Sequence, residues 1–172
     1  MRLRTTAFRA HHPRWSFQPT SGEGAARHGG RFNPVGVPAF YTSLRPETAW
    51  LEAQQGFPFK AQPMTMCGYV VDCENIADLT VPATRTSLGV DHATLGCSWE
   101  DMASRGLVPP SWELAGRLRA AGFAGILVPS FAVGATASDV NAVFWIWEDE
   151  PPHQVRLVDD YARLPRDDRS WH

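Results

Sequence analysis

Three side chains with complementary chemistry lie close together between residues 29 and 52. Arg31 follows a Gly-Gly pair, Tyr41 lies in the run AFYTS, and Glu52 lies in the run PETAWLE. A guanidinium group binds phosphate, a phenol combines a flat ring with a hydroxyl, and a carboxylate accepts hydroxyl protons or stabilises a cation. Together these side chains suit a ligand that contains both phosphate and sugar.

The residues that carry these side chains predict a loop, a strand and a helix. Gly29, Gly30 and Gly36 allow close backbone approach to a ligand or unusual dihedral angles, and nearby prolines stiffen the loop. AFYTS is typical of a short strand, and PETAWLEA of a helix with proline in its first turn. Because the three side chains belong to different elements, they can converge on one pocket.

The rest of the chain predicts an α+β fold, a compact single domain with a central mixed or antiparallel sheet. Its 172 residues, 44% of them hydrophobic, suffice for one core. We expect the domain to span residues 1–162 and a charged, mobile tail to span 163–172. Residues 13–38 are expected to be irregular. Further strands are predicted at 3–9, 66–71, 75–79, 125–130, 140–147 and 155–161, and further helices at 99–104 and 109–122.

Composition excludes several classes of function. The net charge of -2 gives no general attraction to nucleic acid or to an anionic membrane. The three cysteines show no C-x-x-C spacing, so neither a disulfide framework nor a thiolate zinc site is indicated. No signal-peptide core and no apolar run of membrane-spanning length is present. We therefore expect a soluble, cytoplasmic protein.

The histidines and glycines do not form a known metal or nucleotide motif. His11, His12 and His28 lack the spacing of a zinc site, and adjacent histidines in an extended segment point in opposite directions. Loop histidines without a metal are the favoured interpretation. Neither G-x-G-x-x-G nor a P-loop occurs, so a bound dinucleotide would be consumed as a substrate rather than held in a Rossmann cradle.

The run NAVFWIW predicts a strand that is apolar on both faces. Trp145 and Trp147 would share one face, and Phe144 and Ile146 the other. Such a strand needs cover on both sides, either from helices or from another chain. We favour burial by a partner chain, and a homodimer is one such arrangement.

Four stretches of the sequence, taken in order, resemble the RES domain of bacterial toxin–antitoxin modules. They are GGRFNPVGVPAFYTS, PETAWLE, GILVPS and NAVFW, and FRAHHPRW and PPSWELA extend the similarity over nearly the whole chain. One position differs, because the residue after the arginine is usually Trp in this family and is Phe32 here. Both rings can stack on a flat ligand ring, so the substitution bears on contact area more than on function.

The resemblance implies a fold like that of the ADP-ribosyltransferase toxins and NAD+ as a consumed substrate, without a metal. It also implies a partner, an antitoxin with an Xre-type helix-turn-helix domain. A protein target is a second partner if ADP-ribose passes to a protein side chain. The nicotinamide ring of NAD+ carries a positive charge, so nicotinamide leaves the ribose as a neutral molecule. The sugar that remains is oxocarbenium-like. A protein that promotes this step must bind the phosphates, hold the ribose and place negative charge beside the developing cation.

The resemblance places Glu52 on the motif glutamate, eleven residues after Tyr41, as the catalytic carboxylate. Without the resemblance, a solvated helix glutamate would be the commoner interpretation. Arg31 and Tyr41 complete the implied catalytic set. Arg31 and Arg9 are the candidate binders of phosphate and ribose, and the alternative for each is a surface salt bridge.

Four further contacts to NAD+ are expected. Tyr41 offers its ring to nicotinamide and its hydroxyl to the ribose, unless it is an ordinary core aromatic. Ser130 either donates to the nicotinamide amide or to Glu52, or merely ends its strand. Phe32 and Ser43 complete the predicted binding set.

Two hypotheses about function remain open on the sequence. In the first, the protein cleaves NAD+ and passes ADP-ribose to water, to phosphate or to a protein side chain. In the second, it is a non-catalytic module of the same fold that binds a nucleotide or an antitoxin. The joint presence of Arg31, Tyr41 and Glu52 favours the enzyme.

Overall fold

Seven strands and six helices make up the computed structural model of the chain, which describes residues 1–55 and 61–171. The strands are β1 (Leu3–His11), β2 (Phe40–Ser43), β3 (Thr65–Cys73), β4 (Ile76–Asp78), β5 (Gly125–Pro129), β6 (Val140–Phe144) and β7 (His153–Leu157). The helices are α1 (Glu23–His28), α2 (Pro46–Gln54), α3 (Pro82–Ser87), α4 (His92–Leu95), α5 (Trp99–Ser104) and α6 (Pro110–Ala120). Short 3-10 turns lie at Pro13–Trp15 and Arg169–Trp171.

All seven strands belong to one mixed sheet in the order β4-β5-β6-β2-β1-β3-β7. Only β4 and β5 pair in parallel, and the other neighbours are antiparallel. This arrangement confirms the predicted α+β class. β1, β2 and β6 lie next to one another within the sheet, and they carry several of the predicted site residues.

The core consists of two clusters, one on each face of the sheet. Along β5, Ile126 and Val128 belong to one cluster and Leu127 to the other, as the alternation of side chains along a strand requires. Helix α6 packs against the first cluster through Leu114 and Leu118, which are one helical turn apart. The helix ends before Gly122, whose positive φ of 87° is readily adopted by glycine.

Two sequence predictions about elements are wrong, and two helices were missed. Residues 13–38 are not irregular throughout, because they contain the turn Pro13–Trp15 and helix α1. Helices α3 and α4 were not predicted. Strand β6 ends at Phe144, so the tryptophans that follow do not share a face: Trp145 packs in the cluster that contains α6, whereas Trp147 packs against the opposite one. Both indoles are thus covered within the chain.

Residues 163–171 make some contacts with the rest of the chain. Leu164 packs against the core, and the ring of Trp171 lies 5.3 Å from that of His12. Within residues 1–55 and 61–171, no helix is long and apolar enough to cross a bilayer.

Candidate active site

Arg31, Tyr41 and Glu52 line one cleft of about 440 Å³, together with Arg9 and Asn141. A smaller adjoining cavity of about 260 Å³ shares Arg9, Tyr41, Glu52 and Asn141 with this cleft. Ser43 lines the smaller cavity. The three side chains from loop, strand and helix therefore do converge in one place.

The Glu52 carboxylate is fixed by three side chains. Its Oε1 accepts hydrogen bonds from Ser130 Oγ at 2.6 Å and from Asn141 Nδ2 at 2.5 Å. Gln55 Nε2 donates to the other oxygen, Oε2. Glu52 is only partly exposed, so it is not the freely solvated helix glutamate of the alternative interpretation. Of the two readings of Ser130, the structure shows the contact with Glu52.

Asn141 is itself oriented by Ser43. These residues are paired in register on β6 and β2, and Ser43 Oγ donates to Asn141 Oδ1 at 2.7 Å. Because Ser43 is 2% exposed and uses its proton on Asn141, it positions the amide beside Glu52 rather than offering a free hydroxyl to a ligand. Sequence reasoning missed Asn141 and Gln55, although Asn141 opens the quoted stretch NAVFW.

A buried aspartate ties together the elements that carry this group. Asp139 Oδ1 accepts from Thr48 Oγ1 on α2 at 2.5 Å, and Oδ2 accepts from the backbone N–H and the hydroxyl of Thr136 at 2.8 Å each. These hydrogen bonds, that from Thr48 first, lower the pKa of Asp139 to about 2. The carbonyl of Asp139 accepts from the Ser130 N–H at 2.7 Å. Helix α2, the end of β5 and the start of β6 are therefore linked through one residue.

The hydroxyl of Tyr41 is engaged within the protein. It donates to Asn33 Oδ1 at 2.7 Å and accepts from the Phe32 N–H at 2.9 Å. Burial raises the pKa of Tyr41, so the group stays a neutral phenol. With its proton committed to Asn33, Tyr41 does not donate to a ribose as the sequence led us to expect. What it presents to the cleft is its ring.

Asn33 holds the glycine-rich turn together. Its amide nitrogen donates to the carbonyls of Ala25 and Val37, each at 2.8 Å, and the residue is fully buried. Gly30 lies so close that a Cβ there would be 2.6 Å from both the Tyr41 hydroxyl and Asn33 Oδ1. The absence of a side chain at Gly30 thus makes room for these two side chains, not for a ligand.

Arg31 is anchored by backbone carbonyls rather than by the surface salt bridge of the alternative interpretation. Its Nη1 donates to the carbonyl of Cys97 at 2.6 Å and to that of Leu95 at 3.4 Å. The guanidinium group also lies 4.9 Å from the ring centre of Phe131. No carboxylate of the described residues forms an ion pair with it, although Glu52 attracts its charge. Burial lowers the pKa of Arg31 relative to an exposed arginine. Its charge is available to an anion in the cleft.

Arg9 and Phe32 differ in how far they reach the cleft. Arg9 is partly buried, donates to the carbonyl of Ser21 at 2.9 Å and stacks at 4.9 Å over the ring of Phe40. The predicted stacking of Phe32 on a ligand ring is not supported, because the side chain is 2% exposed and packs in the core. Phe32 acts instead through its backbone, which donates to Tyr41 and accepts from Trp145 Nε1 at 3.0 Å.

The arrangement offers a fixed carboxylate, a flat aromatic face and two arginines without acidic partners among the described residues. In residues 1–55 and 61–171, no three His, Cys, Asp or Glu side chains converge as metal ligands would. A cationic sugar beside Glu52 and an anion beside the arginines would both be stabilised by charge.

Comparisons with known proteins agree with this architecture. The family model of the RES domain matches residues 6–167. No curated protein sequence matches the chain. Among solved structures, a chain of the M. tuberculosis MbcT–MbcA toxin–antitoxin complex is similar, with 22% identity, a TM-score of 0.58, and coverage of 92% of this chain and 84% of that one. At this level of identity the likeness shows a common fold.

Proposed function

The chain belongs to the RES domain family, and from that premise we propose that it is a toxin that cleaves the nicotinamide–ribose bond of NAD+. The observation that carries the proposal is the Glu52 carboxylate, which three side chains orient in a cleft that also contains Arg31 and Tyr41.

The chemistry needs no proton donor for the leaving group. The C–N bond between the ribose C1′ and nicotinamide breaks, and both of its electrons leave with nicotinamide, which becomes neutral. C1′ takes on oxocarbenium character until an acceptor oxygen or nitrogen adds to it and loses its proton. A carboxylate stabilises this cation, as in glycoside hydrolysis.

The hydrogen bonds of Glu52 suit this role. Oε1 already accepts from Ser130 and Asn141, whereas Oε2 accepts only from Gln55 among the described residues. Oε2 therefore has acceptor capacity left for a ribose hydroxyl. Glu52 would hold the nicotinamide ribose through this oxygen while its charge faces C1′.

The other site residues supply binding. Arg31 and Arg9 present positive charge to the pyrophosphate, and a guanidinium group forms charge-assisted bonds to phosphate oxygens. The Tyr41 ring offers a face to the nicotinamide ring. The three donors around Glu52 and the partners of Arg31 fix these groups before substrate arrives, which lowers the cost of ordering them.

The proposal extends to partners. We propose that an antitoxin with an Xre-type helix-turn-helix domain neutralises the protein, and the similar fold in the MbcT–MbcA complex supports an antitoxin partner. The same bond cleavage has three possible acceptors of ADP-ribose, which are a protein, phosphate and water.

A homodimer within the toxin–antitoxin complex is also part of the proposal. Light scattering of the purified complex measures its stoichiometry.

The direct test is nicotinamide release from NAD+ by protein freed of antitoxin, compared with the variant Glu52→Gln. The amide keeps the shape but loses the charge, so turnover should fall at least roughly a thousandfold while NAD+ affinity stays within about tenfold. Mass spectrometry of the products, with and without phosphate and cell lysate, identifies the acceptor. Release that is unchanged in Glu52→Gln would falsify the assigned role.

A further inference from the structure

A second cavity of about 450 Å³ lies beside the candidate active site. Its lining includes His11, Trp15, Phe17 and Ser21, and it shares Arg9 and Gly24 with the cleft that contains Glu52. Its volume falls within the range of small-molecule sites, about 300–1,000 Å³. The two cavities are similar in size and adjoin at Arg9.

The loop that walls this cavity is fixed to the sheet. Side chains from β1, from β3 and from the segment that follows β6 donate to its backbone: Arg9 to the Ser21 carbonyl at 2.9 Å, Tyr69 to that of Pro19 at 2.7 Å, and Trp147 to that of Thr20 at 3.0 Å. Ser16 Oγ donates to Thr65 Oγ1 at 2.6 Å. Four such bonds within residues 16–21 give a preformed wall rather than one that must order when a ligand binds.

Arg9 provides a positive charge at the junction. It donates to one backbone carbonyl and lies over the face of Phe40, and no carboxylate among the described residues pairs with it. A partly buried guanidinium without a counter-ion is stabilised by an anion. An anion at this point would have one cavity on each side.

The lining on the far side of Arg9 suits a flat heterocycle. Trp15 and Phe17 lie 6.5 Å apart with their rings inclined by 32°, and Arg14 stacks 5.4 Å from the Trp15 ring centre. Both ring nitrogens of His11 are buried and have no partner among the described residues. Aromatic faces bind a base by stacking, and an imidazole with unused nitrogens offers both a donor and an acceptor.

We propose that this second cavity binds the adenosine half of NAD+, with the base against Trp15 and Phe17 and the pyrophosphate at Arg9. The inference rests on the proposed function, since it names where the non-reacting half of that substrate lies. A dinucleotide has two nucleoside halves joined by an anion, and here Arg9 places a cation between the cleft that contains Glu52 and the cavity that contains Trp15.

The test separates the second cavity from the reaction by using AMP, which contains the base, its ribose and one phosphate but no reactive bond. Calorimetry measures AMP binding to the wild type, to Trp15→Ala and to Trp15→Leu, which keeps apolar bulk but removes the aromatic face. Trp15 is half exposed, which favours folded variants, and thermal unfolding checks this. Tyr161→Ala, at an aromatic residue 80% exposed and outside the cavity, is the matched control.

We expect AMP to bind the wild type, Tyr161→Ala and Glu52→Gln alike, and both Trp15 variants to bind it roughly five- to a hundredfold more weakly. In turnover assays, the two Trp15 variants should have a raised KM for NAD+. Their release of nicotinamide from nicotinamide mononucleotide, which lacks the adenosine half, should not change. Equal AMP affinity in a folded Trp15 variant, or no AMP binding to the wild type, overturns the inference. AMP binding in a protein that releases no nicotinamide supports this cavity while refuting the proposed reaction, so the two failures are distinguishable.

Discussion

The two sides of the cleft are held in place by different kinds of contact. On the carboxylate side, which comprises Ser43, Glu52, Ser130 and Asn141, side chains bind one another in a short chain. On the loop side, which comprises Arg31 and Asn33 and their neighbours, side chains donate mainly to backbone carbonyls. The geometry of the carboxylate side thus depends on the identity of its side chains. The geometry of the loop side depends mainly on where the backbone places its carbonyl groups. Substitutions on the carboxylate side should therefore lower the rate of catalysis, and substitutions on the loop side should lower stability or binding.

The strongest test of this contrast is Asn141→Asp, which replaces the amide donor beside Glu52 by a second carboxylate. The new carboxylate repels that of Glu52 and cannot replace the amide donor, so Glu52 is turned away from the position proposed to face the sugar cation. We expect nicotinamide release at pH 7 to fall at least about a hundredfold, while NAD+ binding changes by less than about tenfold. Near-normal turnover would contradict the proposed dependence on side-chain identity.

The loop side should respond in stability. Asn33→Ala removes donors to two partly buried carbonyls and the acceptor of the Tyr41 proton, and we expect it to cost about 3 kcal/mol in urea unfolding. Tyr41→Phe is the matched control, because it keeps the ring and removes only the hydroxyl. It should cost about 1–2 kcal/mol and retain turnover. Loss of turnover in a folded Tyr41→Phe protein would show that the hydroxyl, and not only the ring, serves the reaction.

Much of the carboxylate side could be predicted from the sequence, because Glu52 and Ser130 belong to recognisable stretches. Asn141 could not, since its contact with Glu52 depends on the register that pairs it with Ser43. On the loop side, Arg31 was predicted but not its anchor, a carbonyl 66 residues away that no local pattern encodes. Helices α1, α3 and α4 have six, six and four residues, too few for a clear periodicity.

Acid should lower the stability of the protein in two steps. Burial, then the charges of Arg9 and His12, lowers the pKa of His11 to about 4, against an ordinary value of 6.5. The unfolded chain therefore binds more protons between these values, and stability falls as pH drops from about 6.5 to 4. We expect a loss of about 1–2 kcal/mol after allowance for partial exposure.

Asp139 affects the stability of the protein in a lower pH range. Its folded pKa of about 2 is depressed from 3.8, so its contribution is present above about pH 4 and is lost as pH falls toward 2. Urea unfolding from pH 7 to 2.5 measures both windows. His11→Gln should flatten the first window only, and Asp139→Asn the second only; a single transition unaffected by His11→Gln would contradict this order.

The smallest effect on kcat is expected at Ser43, which contacts Asn141 rather than Glu52 itself. Ser43→Ala removes the hydrogen bond that orients Asn141 but leaves the strand register intact, so we expect kcat to fall roughly fivefold with KM unchanged. Thr42→Val is the matched control, because among the described residues the neighbouring Thr42 hydroxyl donates to the Ala142 carbonyl and not to the residues around Glu52. It should lower stability slightly and leave kcat alone. Equal effects of the two substitutions on kcat would mean that the hydrogen bonds from Ser43 through Asn141 do not orient Glu52.

Gly30 has a consequence for which substitutions the turn can accept. A methyl group at that position would lie 2.6 Å from the Tyr41 hydroxyl and from Asn33 Oδ1, so it would clash with the two side chains that fix the turn. Positions 30, 33 and 41 are therefore coupled sterically, and a larger residue at 30 requires a change at 33 or 41 as well. The glycine before the arginine serves a hydrogen bond that two other residues make.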